Sequence, residues 1–295
     1  MWPKQVIARI EGGLGNQLFQ YAAARSLADR LGCELALDLR GLDHNGDRPF
    51  QLDLYRVRAS VATPELLEGL PDWRSSRLGR FKANLSQLAP SVFSFPVFWP
   101  VSFAFDARFG RISRPAYLVG YWQSEKYFAW NRERLLQDIQ LIAPLSADIQ
   151  LLDLIRSTPS VALHIRRGDY VHNAAAAQFH GLCGMDYYQA AIAALKARIP
   201  EIHVFVFSDE PSWARANFKL DVPTHYVDAN PVDMGYIDME LMSLCRHHVI
   251  ANSSFSWWGA WRCQSPEQSV YAPSRWFADS STDTTDVVPS HWIKI

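Results

Sequence analysis

Apolar positions change their period along this chain, and the changes lay out its elements. Residues 5–10 form a short apolar-rich run that predicts a first strand. Gly12, Gly13 and Gly15 follow as a tight loop whose glycines permit positive φ and close approach of a ligand to the backbone. Asn16 is placed to cap a helix reaching about residue 31, with Leu18, Tyr21, Ala22, Arg25, Leu27, Ala28 and Leu31 at helical spacing and Gly32 closing it. Residues 34–38 predict the next strand. Residues 41–115 carry scattered glycines and prolines and no clear period. A strand is expected at 116–120, and Ser124 is placed to cap a helix to about residue 138.

Past Ala143-Pro144-Leu145 the alternation becomes strict. Strands are expected at 161–165, 203–207, 224–227 and 249–251, with a last short one at 270–271. Helices are expected at 186–199, from Pro211 onward, at about 233–245, and from Asn252-Ser253-Ser254 to about 263. Strands alternating with helices at this spacing specify a parallel sheet covered on both faces. The expected fold class is α/β, two doubly wound Rossmann-like domains, 1–145 and 146–295, facing a cleft.

Composition narrows the function. The chain has 295 residues and a net charge of -1, so nothing draws it to nucleic acid, and any anion site must be local. Cys33, Cys183, Cys245 and Cys263 show neither CxxC pairing nor zinc-finger spacing and read as free thiols in a reducing compartment. The first ten residues suit neither a secretory signal nor a membrane span, so a cytoplasmic location is expected. The most apolar segment, 92–105, is interrupted by Pro96 and Pro100 and is expected to pack inside, with a peripheral lipid contact as the alternative.

Candidate chemistry gathers where the strands of the second half end. His164-Ile165-Arg166-Arg167-Gly168-Asp169-Tyr170 leaves a buried strand with two adjacent guanidinium groups, which suit phosphate oxygens and never lose their charge. The alternative is an internal ion network in which the arginines pair with Asp169 and neighbouring carboxylates. Asp209 and Glu210 end the next strand, where they could hold a base with two adjacent N–H donors, such as guanine, or merely start a helix. Asn252, Ser253 and Ser254 offer hydroxyls and helix N-terminal amides to phosphate, or again only a cap. Phe255 follows them, and Trp257 and Trp258 read as core. Together the loops describe a purine diphosphate with its pyrophosphate toward Arg166 and Ser254. No Asp-x-Asp occurs, so the usual sign of a bridging divalent ion is missing, and arginine and helix dipole are expected to stabilise the leaving diphosphate.

Several blocks in order carry a resemblance: 12–21 (GGLGNQLFQY), 120–128 (GYWQSEKYF), 164–170 (HIRRGDY), 180–183 (HGLC) with Tyr187 and Tyr188, Phe207-Ser208-Asp209, and 252–258 (NSSFSWW). In these the chain resembles the bacterial α-1,2-fucosyltransferases of glycosyltransferase family eleven. The resemblance implies a GT-B architecture with an N-terminal acceptor-side domain and a C-terminal GDP-fucose-binding domain. It implies inverting, metal-independent transfer of L-fucose from GDP-β-L-fucose to the 2-hydroxyl of a terminal galactose, with no cofactor. By similarity Arg166 binds the pyrophosphate, His164 sits by the guanine, Asp209 or Glu210 pairs with the base, and Ser253 and Ser254 hold phosphate, with Asn252 and Phe255 beside them. Gly13, Gly15 and Asn16 are expected on the donor's other side, and Arg167 with Asp169 as an internal pair. The motif does not identify a general base; where some related enzymes have a glutamate this chain has His172-Asn173-Ala174-Ala175, leaving His172, His180 and Asp169 as candidates. The partners implied are GDP-fucose and a galactose-terminated oligosaccharide; a lipid-linked acceptor would make the enzyme membrane-peripheral.

Two other classes fit parts of the chain. Eleven tryptophans could stack on sugar faces in a non-catalytic carbohydrate-binding protein, which has no need of a phosphate site. Gly13, Gly15 and Asp38 resemble the fingerprint of an NAD-dependent oxidoreductase, but Leu18 stands where its third glycine belongs.

Overall fold

The first strand, β1 (Gln5–Arg9), is buried along nearly its whole length because its successor strands flank it on both sides. The computed structural model describes residues 4–42, 49–68, 70, 97–168, 171, 173–231 and 234–295. Its contacts divide the chain into two units, Met1–Ile142 and Ala143–Ile295. In the first, β1, β2 (Glu34–Asp38), β3 (Ser60–Val61), β4 (Val97–Phe98) and β5 (Tyr117–Leu118) form one sheet in the order β3-β2-β1-β5-β4, every pair parallel.

Helix α1 (Leu14–Leu31) links β1 to β2 and is buried from Leu14 to Ala28. Its polar residues survive burial because each is bonded: Gln17 donates to the Gly12 and Pro49 carbonyls, and Gln20 exchanges two hydrogen bonds with the Glu11 backbone. The expected capping role of Asn16 is corrected, since Gly13 is the N-cap and Asn16 lies within the first turn. Of the loop glycines, Gly12 takes the positive φ, at 77°, while Gly13 is extended at −75°. Gly32 closes the helix in the left-handed conformation, as expected. The strand expected at 116–120 shrinks to Tyr117–Leu118, because Gly120 and Trp122 turn the backbone to φ 139° and 55°. Ser124 does cap, but it caps a short 3-10 turn, Glu125–Tyr127; the α-helix begins only at Arg132. With α2 (Pro64–Leu67) and α3 (Arg132–Asp138), these are the strands and α-helices described in the first unit, joined by short 3-10 turns. In the apolar segment, 92–96 lie outside the described residues; Val97 is buried, whereas Val101 is 81% exposed.

The second unit runs α4 (Ile149–Ser157), β6 (Ser160–Ile165), α5 (Ala174–His180), α6 (Met185–Arg198), β7 (His203–Ser208), α7 (Pro211–Asn217), β8 (Thr224–Val227), α8 (Gly235–Leu244), β9 (His247–Val249), α9 (Ser254–Trp261), β10 (Val270–Ala272) and β11 (Ile293–Lys294). Its six strands are all parallel, in the order β11-β10-β9-β6-β7-β8. One face of β6 packs Val161, Leu163 and Ile165 with Tyr187, Ala191 and Leu195 of α6; Ala162 on the other face joins Ile155, Phe205 and Leu241. Trp257 and Trp258 are core residues, and the Trp257 indole donates to the Val287 carbonyl at 2.8 Å. The four cysteines are free thiols. Among the described residues no helix is long and apolar enough to cross a membrane.

In this sheet the chain steps from β6 outward through β7 and β8, then returns to lay β9, β10 and β11 on the opposite side. The strand order therefore reverses between β6 and β9, and open α/β sheets bind ligands in the crevice at such a point.

Candidate functional site

Register brings three loops to that crevice. Ile165 lies opposite Ser208 and Leu163 opposite Val249, so the carboxyl ends of β6, β7 and β9 are neighbours. Arg166 leaves β6 with its Nη1 3.0 Å from Asp209 Oδ2. Arg167 Nε donates to Glu210 Oε2 at 2.9 Å, its backbone N–H donates to Asp209 Oδ1 at 2.9 Å, and its guanidinium lies 3.6 Å over the Trp213 ring. Asp209 is thus held from two sides. Gly168 makes this approach possible, because a Cβ there would stand 2.5 Å from Asp209 Oδ2.

Asp209 and Glu210, expected to face a base or merely to start a helix, are the counter-charges of Arg166 and Arg167. Glu210 occupies the N-cap position of α7 without capping it through its side chain. Asp169, expected as an internal partner of Arg167 and as a base candidate, lies outside the described residues, and so does His172. The partner that Arg167 does have is Glu210.

Across the crevice stands α9. Ser253 is its N-cap, with Oγ accepting from the Phe255 N–H at 3.3 Å, and no acidic residue occupies the first turn. No carboxylate of the first turn therefore offsets the positive end of the helix. Ser254 and Phe255 are half-buried at its start. Asn252 is built into the frame: its Nδ2 lies 2.9 Å from the His180 carbonyl and 3.1 Å from that of Trp276, and its Oδ1 accepts from Cys183 Sγ. Both amide hydrogens have acceptors inside the protein, so Asn252 positions the loop rather than offering donors to phosphate.

His164 is the penultimate residue of β6, two positions before Arg166, and is buried against Phe255, ring centroids 5.6 Å apart. Burial, aided by the Arg166 charge, lowers its pKa to about 3, so it is neutral at physiological pH. Its Nδ1 is buried with no hydrogen-bond partner among the described residues. An orphaned acceptor or donor of this kind, beside a binding crevice, is a polar group suited to a ligand.

One residue that the sequence did not single out belongs here. Asp238, in the first turn of α8, has its pKa raised to about 6 by burial, partly offset by a hydrogen bond from Asn230. The same turn reaches Phe255, whose ring lies 3.8 Å from where a Gly235 Cβ would stand. A lone carboxylate in the apolar run Ile237-Asp238-Met239 was the available signal. His180, by contrast, sits at the end of α5 with its ring against Phe277 at 5.4 Å. It lines a cavity of about 570 Å³ with Asp186, Asn252 and Arg275.

The remaining expected residues are in the first unit. Gly13 caps α1, Gly15 is buried in its first turn, and Asn16 accepts a 2.8 Å hydrogen bond from Gln123. They lie at the carboxyl end of β1, where the first sheet reverses between β1 and β5.

Residues 104–295 match the family described as Glycosyl transferase family 11. The chain belongs to glycosyl transferase family 11. This family 11 glycosyltransferase is 33% identical to an alpha-1,2-colitosyltransferase of Escherichia coli, spanning 98% of both chains. It is 31% identical to the O-antigen biosynthesis glycosyltransferase WbnK of Escherichia coli, over 97% of this chain and 99% of that one. The galactoside alpha-(1,2)-fucosyltransferase 2 of Mus musculus is 24% identical over 85% of this chain, which spans 66% of that longer protein. Among solved structures, the NodZ alpha-1,6-fucosyltransferase soaked with GDP-fucose superposes with a TM-score of 0.51 at 18% identity, covering 88% of this chain and 92% of that one. FUT1 of Arabidopsis thaliana in complex with GDP gives 0.53 at 13% identity, covering 92% of this chain and 71% of that one. At such identities the likeness concerns fold, and it bears out the α/β, GT-B class.

Proposed function

We propose that this family 11 glycosyltransferase moves L-fucose from GDP-β-L-fucose to the 2-hydroxyl of a terminal galactose, forming an α-1,2 linkage with inversion and without a metal ion. The observation that carries the reading is the Arg166 turn at the β6/β9 reversal beside the N-terminus of α9, whose first turn holds no acidic residue. Arg166, oriented by Asp209, takes the β-phosphate side, and the α9 amides with Ser253 and Ser254 take the other. As the glycosidic bond to the diphosphate breaks, negative charge grows where these donors already point.

Guanine is read on the opposite side by His164, Phe255 and Asp238. Asp238 replaces Asp209 and Glu210 in this role because those two already neutralise arginines, whereas Asp238 has no cationic partner among the described residues. The acceptor hydroxyl attacks the anomeric carbon and surrenders its proton to a base, for which Asp169, His172 and His180 are the candidates.

A second donor is favoured by one observation. The relative at 33% identity over essentially the whole chain is named for colitose, a fucose lacking its 3-hydroxyl. The relative named for O-antigen biosynthesis supports an acceptor within a bacterial surface glycan, and a lipid-carried acceptor would supply any membrane attachment.

The test is transfer to a β-galactoside from GDP-fucose and GDP-colitose in parallel, with excess chelator, and NMR assignment of the linkage. Arg166→Ala is expected to lower kcat by about a hundredfold or more, the scale of losing a preorganised donor to a developing anion, with melting temperature retained. Chelator inhibition reversed by a divalent ion would remove the metal-free mechanism, and full activity of Arg166→Ala would remove the arginine from its role.

A further inference from the structure

The block 120–128 resembles a family motif, yet the donor site described above makes no use of it. Its backbone is the most constrained in the first unit. Trp122, at φ 55°, is the only non-glycine with positive φ among the described residues. Its indole is locked in place by Phe98, Phe109 and Tyr127, at centroid distances of 5.9, 5.5 and 5.1 Å. The Ser124 N–H donates to the Trp122 carbonyl at 2.7 Å, closing a tight turn around Gln123. Strain of this kind persists when surrounding packing enforces it, and it concentrates at binding sites.

The turn carries Gln123 to the carboxyl end of β5, across from the glycine loop that ends β1. Its Nε2 donates to Asn16 Oδ1 at 2.8 Å, a bond spanning 107 positions of sequence. Gln123 is 7% exposed, and its Oε1 has no hydrogen-bond partner among the described residues. Asn16 spends its oxygen on this bond and keeps its amide hydrogens. Gly12 leaves the space against them open, since a Cβ there would stand 2.8 Å from Asn16 Nδ2.

The two amides joined in this way present one acceptor, Gln123 Oε1, and one donor, Asn16 Nδ2. A hydroxyl both donates and accepts, and so matches that pair; a phosphate, which only accepts, leaves Oε1 unsatisfied. At the end of β1 the charges pair with each other, Arg9 Nε lying 3.5 Å from Glu11 Oε2. Two residues from Gln123, Tyr121 stacks on Phe103 with centroids 6.0 Å apart and planes within 7°, a half-buried aromatic face of the sort that covers a pyranose.

We propose that Asn16 and Gln123, held by the strained turn at Trp122, read a sugar hydroxyl at the β1/β5 reversal. This deepens the glycosyl-transfer reading and rests on it, while moving Asn16 from the diphosphate to a neutral sugar. The hydroxyl belongs either to the acceptor galactoside or to the transferred deoxyhexose.

Steady-state constants for donor and acceptor, measured separately on wild type and Gln123→Leu, distinguish the two, with GDP affinity measured by calorimetry. The variant is expected to raise one sugar substrate's KM by about tenfold or more, the usual consequence of removing a buried polar partner, and to leave GDP affinity unchanged. A rise for the acceptor assigns the hydroxyl to galactose; a rise for the donor assigns it to the transferred sugar. Monodeoxygenated forms of that sugar then provide a readout that mere loosening of the fold cannot imitate. Removing the read hydroxyl should penalise wild type and cost Gln123→Leu nothing further. Gln123→Met, closer in length, stands in if the leucine variant fails to fold. Unchanged constants for both sugars, or equal losses on every deoxy analogue in both proteins, would overturn the proposal. If wild type binds no GDP, the donor reading fails instead, and saturation-transfer NMR of the galactoside on wild type and variant still decides whether this pair holds a sugar.

Discussion

Asp238 is where stability and binding pull in opposite directions. Its folded pKa is raised to about 6 from an ordinary 3.8, so below the lower value both folded and unfolded chains keep it protonated and it costs nothing. Between the two values only the unfolded chain ionises, and stability falls as pH rises, the loss being complete above about 6. Asp238→Asn is therefore expected to raise the melting temperature at pH 7.5 and to lose that advantage toward pH 4. The same substitution should weaken GDP binding about tenfold or more, because an ionised carboxylate accepting two N–H groups is among the stronger neutral-to-charged contacts. In wild type, GDP affinity should rise from pH 5 to pH 7 as the carboxylate becomes ionised. Calorimetric titration of both proteins at those pH values checks each statement, and a variant that binds GDP normally removes Asp238 from the base pocket. Much of the site could be read without coordinates: two arginines after an apolar run, and serines before a helix, carry their chemistry in their types. What could not be read was pairing. Whether Asp209 meets a base or Arg166 depends on β6 and β7 lying side by side in register, which no local pattern states.

At the scale of elements, the direction of α9 matters most, since its dipole forms half of the proposed phosphate cradle. Close packing on α8 sets that direction: a Cβ at Gly259 would stand 2.8 Å from Met242 Cβ and 3.1 Å from its sulfur. The helices can approach this closely only because position 259 has no side chain. Gly259→Ala gains helix propensity of about 1 kcal/mol but must overpack a filled contact, which typically costs about 1–3 kcal/mol. Net destabilisation by denaturant titration is expected, with reduced activity as α9 tilts, and Met242→Ala should partly relieve it; an alanine variant as stable and active as wild type would show that the contact can yield. Strands with clean alternation or apolar runs, such as β1, β2, β7 and β8, were legible to within a residue or two. β9 was read two residues late because it begins with His247 and His248, whose polarity disguises burial; His248 Nε2 lies 2.8 Å from the Met242 carbonyl and so remains satisfied inside. β11 is two exposed residues at an edge and has no pattern to detect. In α4 the signal was present, with Asp148 capping through the Gln150 N–H and Leu151, Leu152 and Ile155 at helical spacing, but it lies close to the proline-marked boundary and reads as linker.

The two units differ in what they are asked to bind. Every residue proposed to hold guanosine diphosphate, from His164 to Phe255, belongs to the second, which has an uninterrupted six-stranded sheet and packed clusters on both faces. Those clusters draw all their members from 143–295, so this half carries a core of its own. A chain of that size buries roughly 68–70% of its unfolded surface, enough for an independent domain. The first unit's cluster, around Ile7, Ala36 and Tyr117, is likewise its own, and the proposed sugar-reading pair lies there. Residues 143–295 expressed alone are therefore expected to melt cooperatively and to bind GDP. At a hundred times Kd, GDP should stabilise the fragment by about 2.7 kcal/mol, a shift of roughly 5–10 °C for a domain of this length. The fragment should transfer no sugar, because the acceptor-side contacts are missing. Scanning calorimetry with and without GDP measures this. A fragment that folds but ignores the nucleotide would mean that the glycine loop of Gly13 and Gly15 supplies indispensable contacts to the donor, and the division of labour between the units would have to be redrawn around it.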